Sequence, residues 1–405
     1  MLRQSFYFGI KALDIVGAVG SVMLLDYSNI YFTFVHILNM FAAKLVNFFQ
    51  FSILSCQFSI IFAPTMKSKG SKKKKYLLLS ALLFIVLMAV WLFLIPFSTV
   101  DNPVRIYIDQ DDNLDSVAAK VNEANPREMF GFHLVAMLRG IRGHAHTGSY
   151  EISPSVSTWQ LVTNIYHGKQ TPVSITVPTT WTKEMALGRM ARQLMTDSAS
   201  LVAEFNNPDC LQAYGVDTAT AATLLLPNTY EIYWDISPSA FIKRMVQERD
   251  RFWTADRIQK AKALAMSKEE VYTLASIVDA ETANDGEKPT VAGLYLNRLH
   301  KGILLQADPT VKFAMGNFSL RRIYGYMLTT PSPYNTYLHK GLPPGPIRVP
   351  QISSIDAVLN HQTHDYLYMC ANSDFSGTHA FAATYSEHLQ NAAKYIKALN
   401  ERGIK

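Results

Sequence analysis

Hydrophobic positions fall in blocks of different period along this chain, and the blocks divide it. Residues 76–97, "YLLLSALLFIVLMAVWLFLIPF", run 22 positions without a charge. At about 1.5 Å rise per residue such a run spans a bilayer core of roughly 30 Å. From 104 to about 176, short alternating pieces ("VRIYID", "GSYEI", "PVSITV") interleave with helical ones ("NLDSVAAKVNEA", "MFGFHLVAMLRGI", "STWQLVTNIYHG"), which predicts a small α/β module. Between 182 and about 265 the pattern is mostly helical, broken at "LLLPNTYEIYWDISP". From 267 onward it reads helix, loops, helix, with prolines at 331, 333, 343, 344, 346 and 350 stiffening the loops.

Ser267 followed by Glu270 is a capping-box pair, so a helix is expected to begin near 268. At about 100° per residue, Val271, Leu274, Ala275, Ile277 and Val278 share one broad arc. Glu281 lies near its middle, and Asp279 falls outside it, beside Tyr272, on a polar flank. A carboxyl group turned toward an apolar core loses hydration, which raises its pKa and keeps its proton near neutral pH. That is the state a general acid requires. The alternative for Glu281 is a helix-end residue that reaches solvent or pairs with Arg298.

Charge changes the picture less than its total suggests. The 405 residues carry a net +6, and Lys67, Lys69 and Lys72 to Lys75 supply six positive charges just ahead of the apolar run. The remainder is close to neutral, which argues against a nucleic-acid partner. Lysines on that side should stay cytoplasmic and send everything after residue 98 across the membrane. No clear signal-peptidase site follows the run, so an uncleaved anchor is expected. Residues 1–65 hold a second apolar stretch, "LVNFFQFSILSCQFSIIFA", and read as an extension upstream of a start at Met66. Cys56, Cys210 and Cys370 form neither a disulfide framework nor a zinc pattern. His361 and His364 lack a third ligand, so no metal and no cofactor are expected.

The loops "LLQADPTVKFAMG" and "PSPYNTYLHKGLPPGPI" are dense in short hydrogen-bonding groups and tyrosines, which suit a polyhydroxylated ligand. Together with "LASIVDAET", "VAGLYLNRL" and "DYLYMCANSDFSGTHAFAATYSEH", they resemble, in order, the catalytic domain of the endolytic murein transglycosylases of the MltG/YceG-like family. "GSYEI", "LVTNIYHGKQTPVSITVP" and "PNTYEI" resemble that family's LysM-like subdomain. The family often has Glu where this chain has Asp279, while Glu281 matches.

The resemblance implies an α+β fold: an N-terminal transmembrane helix (76–97) after a cytoplasmic basic segment (66–75), a small α/β LysM-like module (98–180), a helical connecting region (181–266) and a mixed α+β YceG-like catalytic domain (267–405). It implies an inner-membrane, single-pass protein whose periplasmic domain cleaves peptidoglycan glycan strands, with cell-wall synthases as partners. Glu281 is the expected catalytic residue, with Asp279 as secondary acid candidate. Gln306, Asp308, Thr310, Tyr334, Asn335, Thr336, Tyr337 and His379 are the expected substrate-binding set. Asp308 could instead cap the helix that follows it or act as the second carboxylate of a muramidase-type hydrolase, and Asn335 could bond its own backbone in a turn. A non-enzymatic glycan-binding scaffold is the remaining alternative.

Overall fold

The computed structural model describes residues 78–87, 89, 100–125, 131–141, 145–320 and 322–403. The expected extension (1–65), the basic segment (66–75) and half of the expected span (76–97) lie outside them. Within that span, residues 78–87 and 89 are helical. Among the described residues no helix is long and apolar enough to cross a membrane.

The chain is mixed α+β, with three two-stranded antiparallel sheets among the described residues. In order the elements are β1 (Val104–Ile108), α1 (Leu114–Ala124), α2 (Phe132–Leu138), β2 (Gly148–Ile152), α3 (Thr158–Tyr166), β3 (Val173–Thr176), α4 (Lys183–Ala191), α5 (Ser198–Glu204), α6 (Pro208–Gln212) and a 3-10 turn (Ala221–Leu224). There follow β4 (Thr229–Ile232), α7 (Pro238–Phe252), α8 (Ala255–Ala263), α9 (Lys268–Glu281), α10 (Lys288–His300), α11 (Asp308–Met315), a second 3-10 turn (Gly325–Thr329), α12 (Ile352–Leu359), β5 (Tyr368–Ala371), β6 (His379–Ala382) and α13 (Tyr385–Glu401). Cys210 and Cys370 are free thiols.

Two compact units are present. Among the described residues the smaller gathers 125, 131–139 and 153–163 with 78–87, 89 and 100–102; in it the Arg139 guanidinium lies 3.8 Å over the Trp159 ring and donates to Thr163 Oγ1 at 2.8 Å. The larger holds everything else and contains the whole candidate site.

In the larger unit β1 pairs with β2 and β3 pairs with β4. Alternation decides the faces of β3: Val173 and Ile175 are buried, whereas Ser174 and Thr176 point outward to Glu231 and Thr229 across the sheet. The inward face joins a core with α4, α5, α7 and Val349.

A second core surrounds α9. The capping box is present: Ser267 Oγ accepts from the Glu270 amide at 3.1 Å and Glu270 accepts from the Ser267 amide at 2.8 Å. From Val271 to Asp279 every α9 residue is buried, because α8, α10, α11 and α12 pack around it. The polar groups inside are matched. Tyr272 Oη donates to the Leu225 carbonyl at 2.6 Å, and Ser276 Oγ accepts from the Ile347 amide at 3.0 Å, tying the proline-rich loop to the helix. Gly293 on α10 lets the 362–364 segment approach, since a Cβ there would lie 2.3 Å from the Gln362 carbonyl oxygen.

Candidate active site

Glu281 ends α9, where the helix carbonyls leave a partial negative charge that disfavours a carboxylate. Its Oε1 accepts from Tyr295 Oη of α10 at 2.7 Å. Loss of hydration pushes Glu281 up to about 7, and the charge of Asp308 acts in the same direction; the Tyr295 hydrogen bond, His379 and Lys312 oppose it. The side chain is nevertheless part-exposed, so a ligand can reach it. A carboxylic acid that keeps its proton near neutral pH and remains accessible fits the role of general acid.

The Tyr295 hydroxyl favours the charged form of Glu281, since it donates to the carboxylate. Tyr295→Phe is therefore expected to raise the Glu281 pKa further and move the alkaline limb of the pH–rate profile to higher pH. An unmoved or lowered limb would show that this bond does not tune the acid.

Around Glu281 the expected residues separate into two groups. Asp308 is exposed and accepts from Tyr337 Oη at 2.7 Å. It does not cap: it is the first residue of α11, and no side-chain bond is made by the capping position, Ala307. Burial, reinforced by Asp308 and Glu281, pushes the Tyr337 phenol up and keeps it a donor. Gln306 is exposed with φ 51°, a left-handed conformation that costs a non-glycine residue of order 1 kcal/mol. Its amide donates to the Thr336 carbonyl at 3.1 Å and its Oε1 accepts from Arg298 Nη2 at 2.7 Å. Arg298 also donates to the Leu304 and Leu367 carbonyls. It therefore holds the loop before α11 and is not the partner of Glu281.

Thr310, Asn335 and Thr336, expected to line the cleft, are instead buried braces. Thr310 Oγ1 and Thr336 Oγ1 are 2.8 Å apart, and Thr336 Oγ1 accepts from the Ala307 amide at 3.0 Å. Asn335 Nδ2 donates to the Leu328 and Thr330 carbonyls, each at 2.9 Å, while its Oδ1 accepts from the Tyr337 amide at 3.0 Å. Short polar side chains here close the loops on themselves. Tyr334 is half-buried against Phe313, ring centroids 4.7 Å apart. His379, on β6, bonds Glu287 through both its backbone amide and Nδ1, at 2.6 and 2.9 Å.

Asp279 does not sit on a polar flank. Its side chain is 3% exposed, 3.3 Å from Lys288 Nζ and 3.0 Å from Arg348 Nε, and it accepts from Ser354 Oγ at 2.5 Å and the Gln351 amide at 3.2 Å. Those contacts tie the end of α9 to α10, to Arg348 and to the start of α12. Sequence reasoning missed Tyr295 and Glu287. Tyr295 stands among apolar neighbours in "VAGLYLNRL", where a buried hydroxyl needs a partner; Glu287 carries no such local signal.

Residues 106–394 match the model of the YceG-like family. The chain is 35% identical over 179 residues to the endolytic murein transglycosylase of Bacillus subtilis (strain 168), covering 44% of this chain and 49% of that protein. It is 26% identical over 282 residues to the endolytic murein transglycosylase of Streptococcus pneumoniae serotype 2 (strain D39), covering 62% of this chain and 51% of that one. The chain thus spans about half the length of these curated relatives. A crystal structure of a yceG-like protein from Listeria monocytogenes superposes with a TM-score of 0.50 at 27% identity, covering 72% of this chain and 99% of that one.

Proposed function

This chain belongs to the YceG-like family, and from that premise we propose that it is a membrane-anchored endolytic lytic transglycosylase of peptidoglycan. The observation that carries the reading is Glu281: an accessible carboxyl group pushed up to about 7 by loss of hydration and bonded by Tyr295. Its proton goes to the oxygen linking N-acetylmuramic acid to N-acetylglucosamine. As the bond to C1 breaks, the 6-hydroxyl of the muramic acid attacks C1, and the Glu281 carboxylate takes the hydroxyl proton. The products are a new N-acetylglucosamine 4-hydroxyl and a 1,6-anhydro end, with no water consumed. One carboxyl group acting as acid and then base suffices, where ordinary glycosidases use two.

Exposed Gln306 and Asp308, with part-buried Tyr337, are the groups of this loop system available to hold sugar hydroxyls. In the same reading, residues 76–97 anchor the protein in the inner membrane and 98–180 form a LysM-like module that positions the periplasmic cleft over nascent strands. Cutting there would end strand elongation beside the cell-wall synthases.

A hydrolase reading is favoured by one observation, the second carboxylate at Asp308 acting electrostatically on Glu281. The test is mass spectrometry of fragments released from uncrosslinked peptidoglycan by wild type, Glu281→Gln and Asp308→Asn. Internal cuts with 1,6-anhydro ends, lost in Glu281→Gln and kept within about tenfold in Asp308→Asn, are expected; general acid catalysis is worth about 10²–10⁴-fold. Reducing ends, lost in both variants, would establish a hydrolase. Glycan binding without release by the folded wild type would leave only a scaffold.

A further inference from the structure

Glu287 precedes α10 in a stretch, "ETANDGEKP", that is otherwise hydrophilic, yet it is only 8% exposed. Its two oxygens take three bonds. Oε1 accepts from the His379 amide at 2.6 Å; Oε2 accepts from Thr282 Oγ1 at 3.0 Å and meets His379 Nδ1 at 2.9 Å. Thr282 directly follows Glu281 in the chain and caps α9. One carboxylate therefore joins the end of the helix that carries the acid to the first residue of β6, 92 positions away from it.

A carboxylate in this arrangement only accepts, so the Nδ1 of His379 must hold a proton. That leaves Nε2, for which no hydrogen-bond partner is found among the described residues, on a ring that is 18% exposed. The charged groups acting here are Glu287 before α10 and Glu281 on α9. A carboxylate bonded to one ring nitrogen sets the role of the other, as it does for histidines in hydrolytic and metal sites.

We infer that Glu287 is a positioning residue for the proposed reaction: by accepting from Nδ1 it makes Nε2 of His379 the nitrogen offered to the glycan, and through Thr282 it fixes the end of α9 that carries Glu281. With the ring neutral, Nε2 accepts a hydrogen bond from a sugar hydroxyl or an acetamido N–H. This rests on the transglycosylase reading of the same site.

The tautomer is readable without activity. The full chain labelled with 15N-histidine is examined by two-bond 15N–1H correlation on the alkaline plateau, where the ring signals no longer change with pH, with the His379→Gln spectrum assigning the signal. Nδ1–H is expected in wild type and in Thr282→Val. Glu287→Gln, whose amide can donate as well as accept, is expected to populate Nε2–H and to raise KM for uncrosslinked glycan about tenfold, with part of the loss recovered in Glu287→Asp. An Nε2–H tautomer in wild type overturns the inference even if Glu287→Gln fails to fold. So does wild-type KM in a Glu287→Gln protein whose tautomer has changed. Nδ1–H in a wild-type protein that releases no glycan fragments would instead overturn the functional reading on which the inference rests.

Discussion

Glu281→Gln is expected to reduce glycan cleavage by about 10²–10⁴-fold and to make the protein more stable above neutral pH. Both effects come from one desolvated carboxyl group. In the folded chain Glu281 releases its proton at about 7, against an ordinary value of 4.5. Between those pH values the folded state holds a proton that the unfolded chain has released, so this group's contribution to stability falls as pH rises through the window. Below it the carboxyl group is neutral in both states and the contribution vanishes. Above it the folded chain carries a charge in a poorly hydrated place, at a cost of up to about 3 kcal/mol if each pKa unit is worth about 1.36 kcal/mol.

Glutamine carries no such charge and retains an oxygen for the Tyr295 hydroxyl. Urea titrations of wild type and Glu281→Gln should therefore give midpoints that coincide near pH 4.5 and separate toward pH 8. The expected separation there is about 1–3 kcal/mol, the lower values reflecting solvent on the open side of the site. A constant difference across that range would mean that the gain comes from something other than the titration of Glu281. A wild type that is more stable than the variant at pH 8 would mean that Glu281 is charged and well solvated, and would remove it as an acid.

What the sequence made legible follows the range of the forces involved. The capping box at Ser267 and Glu270, the alternation in β1 and β3, and the start of α9 at Lys268 depend on residues a few positions apart. The period of α9 also pointed Glu281 toward the core. Its failure at Asp279 has a clear cause. A helical wheel assumes one buried face, but α9 is enclosed by other helices, and residues off the apolar arc are buried as fully as those on it. Asp279 then needs cations, and they come from 9 and 69 positions away in the chain, on α10 and in the proline-rich segment. Loop chemistry was the other blind spot. Thr310, Asn335 and Thr336 have the composition of a ligand site, but the same short hydrogen-bonding groups serve to close loops, and only tertiary contact separates the two uses.

The largest expected loss of stability lies at that ion pair. In Asp279→Ala, Lys288, 2% exposed, and Arg348, 20% exposed, would lose the carboxylate they share. Lys288 would keep Asp285, which is 66% exposed and a weaker partner, along with the Gln351 and Ser353 side chains. Removing one member of a buried pair typically costs about 3–5 kcal/mol, because the charge left behind stays out of water. A loss of that size is expected in urea titration, with little dependence on salt, since a buried pair is poorly screened. Asp279→Asn should lose less, as its oxygen can still accept from Ser354 and the Gln351 amide. Replacing Asp279 and Lys288 together by apolar residues should restore part of the loss, and the cycle of single and double variants isolates the coupling between them. A loss below about 1 kcal/mol in Asp279→Ala would mean that Asp285 and solvent satisfy the lysine. The site provides a second readout. Arg348 also donates to the Asp279 carbonyl at 3.3 Å, two residues before Glu281. Freeing the last turn of α9 displaces the acid, and since displacements near 1 Å can cost about 10²-fold in rate, Asp279→Ala should lower kcat even at temperatures where it remains folded.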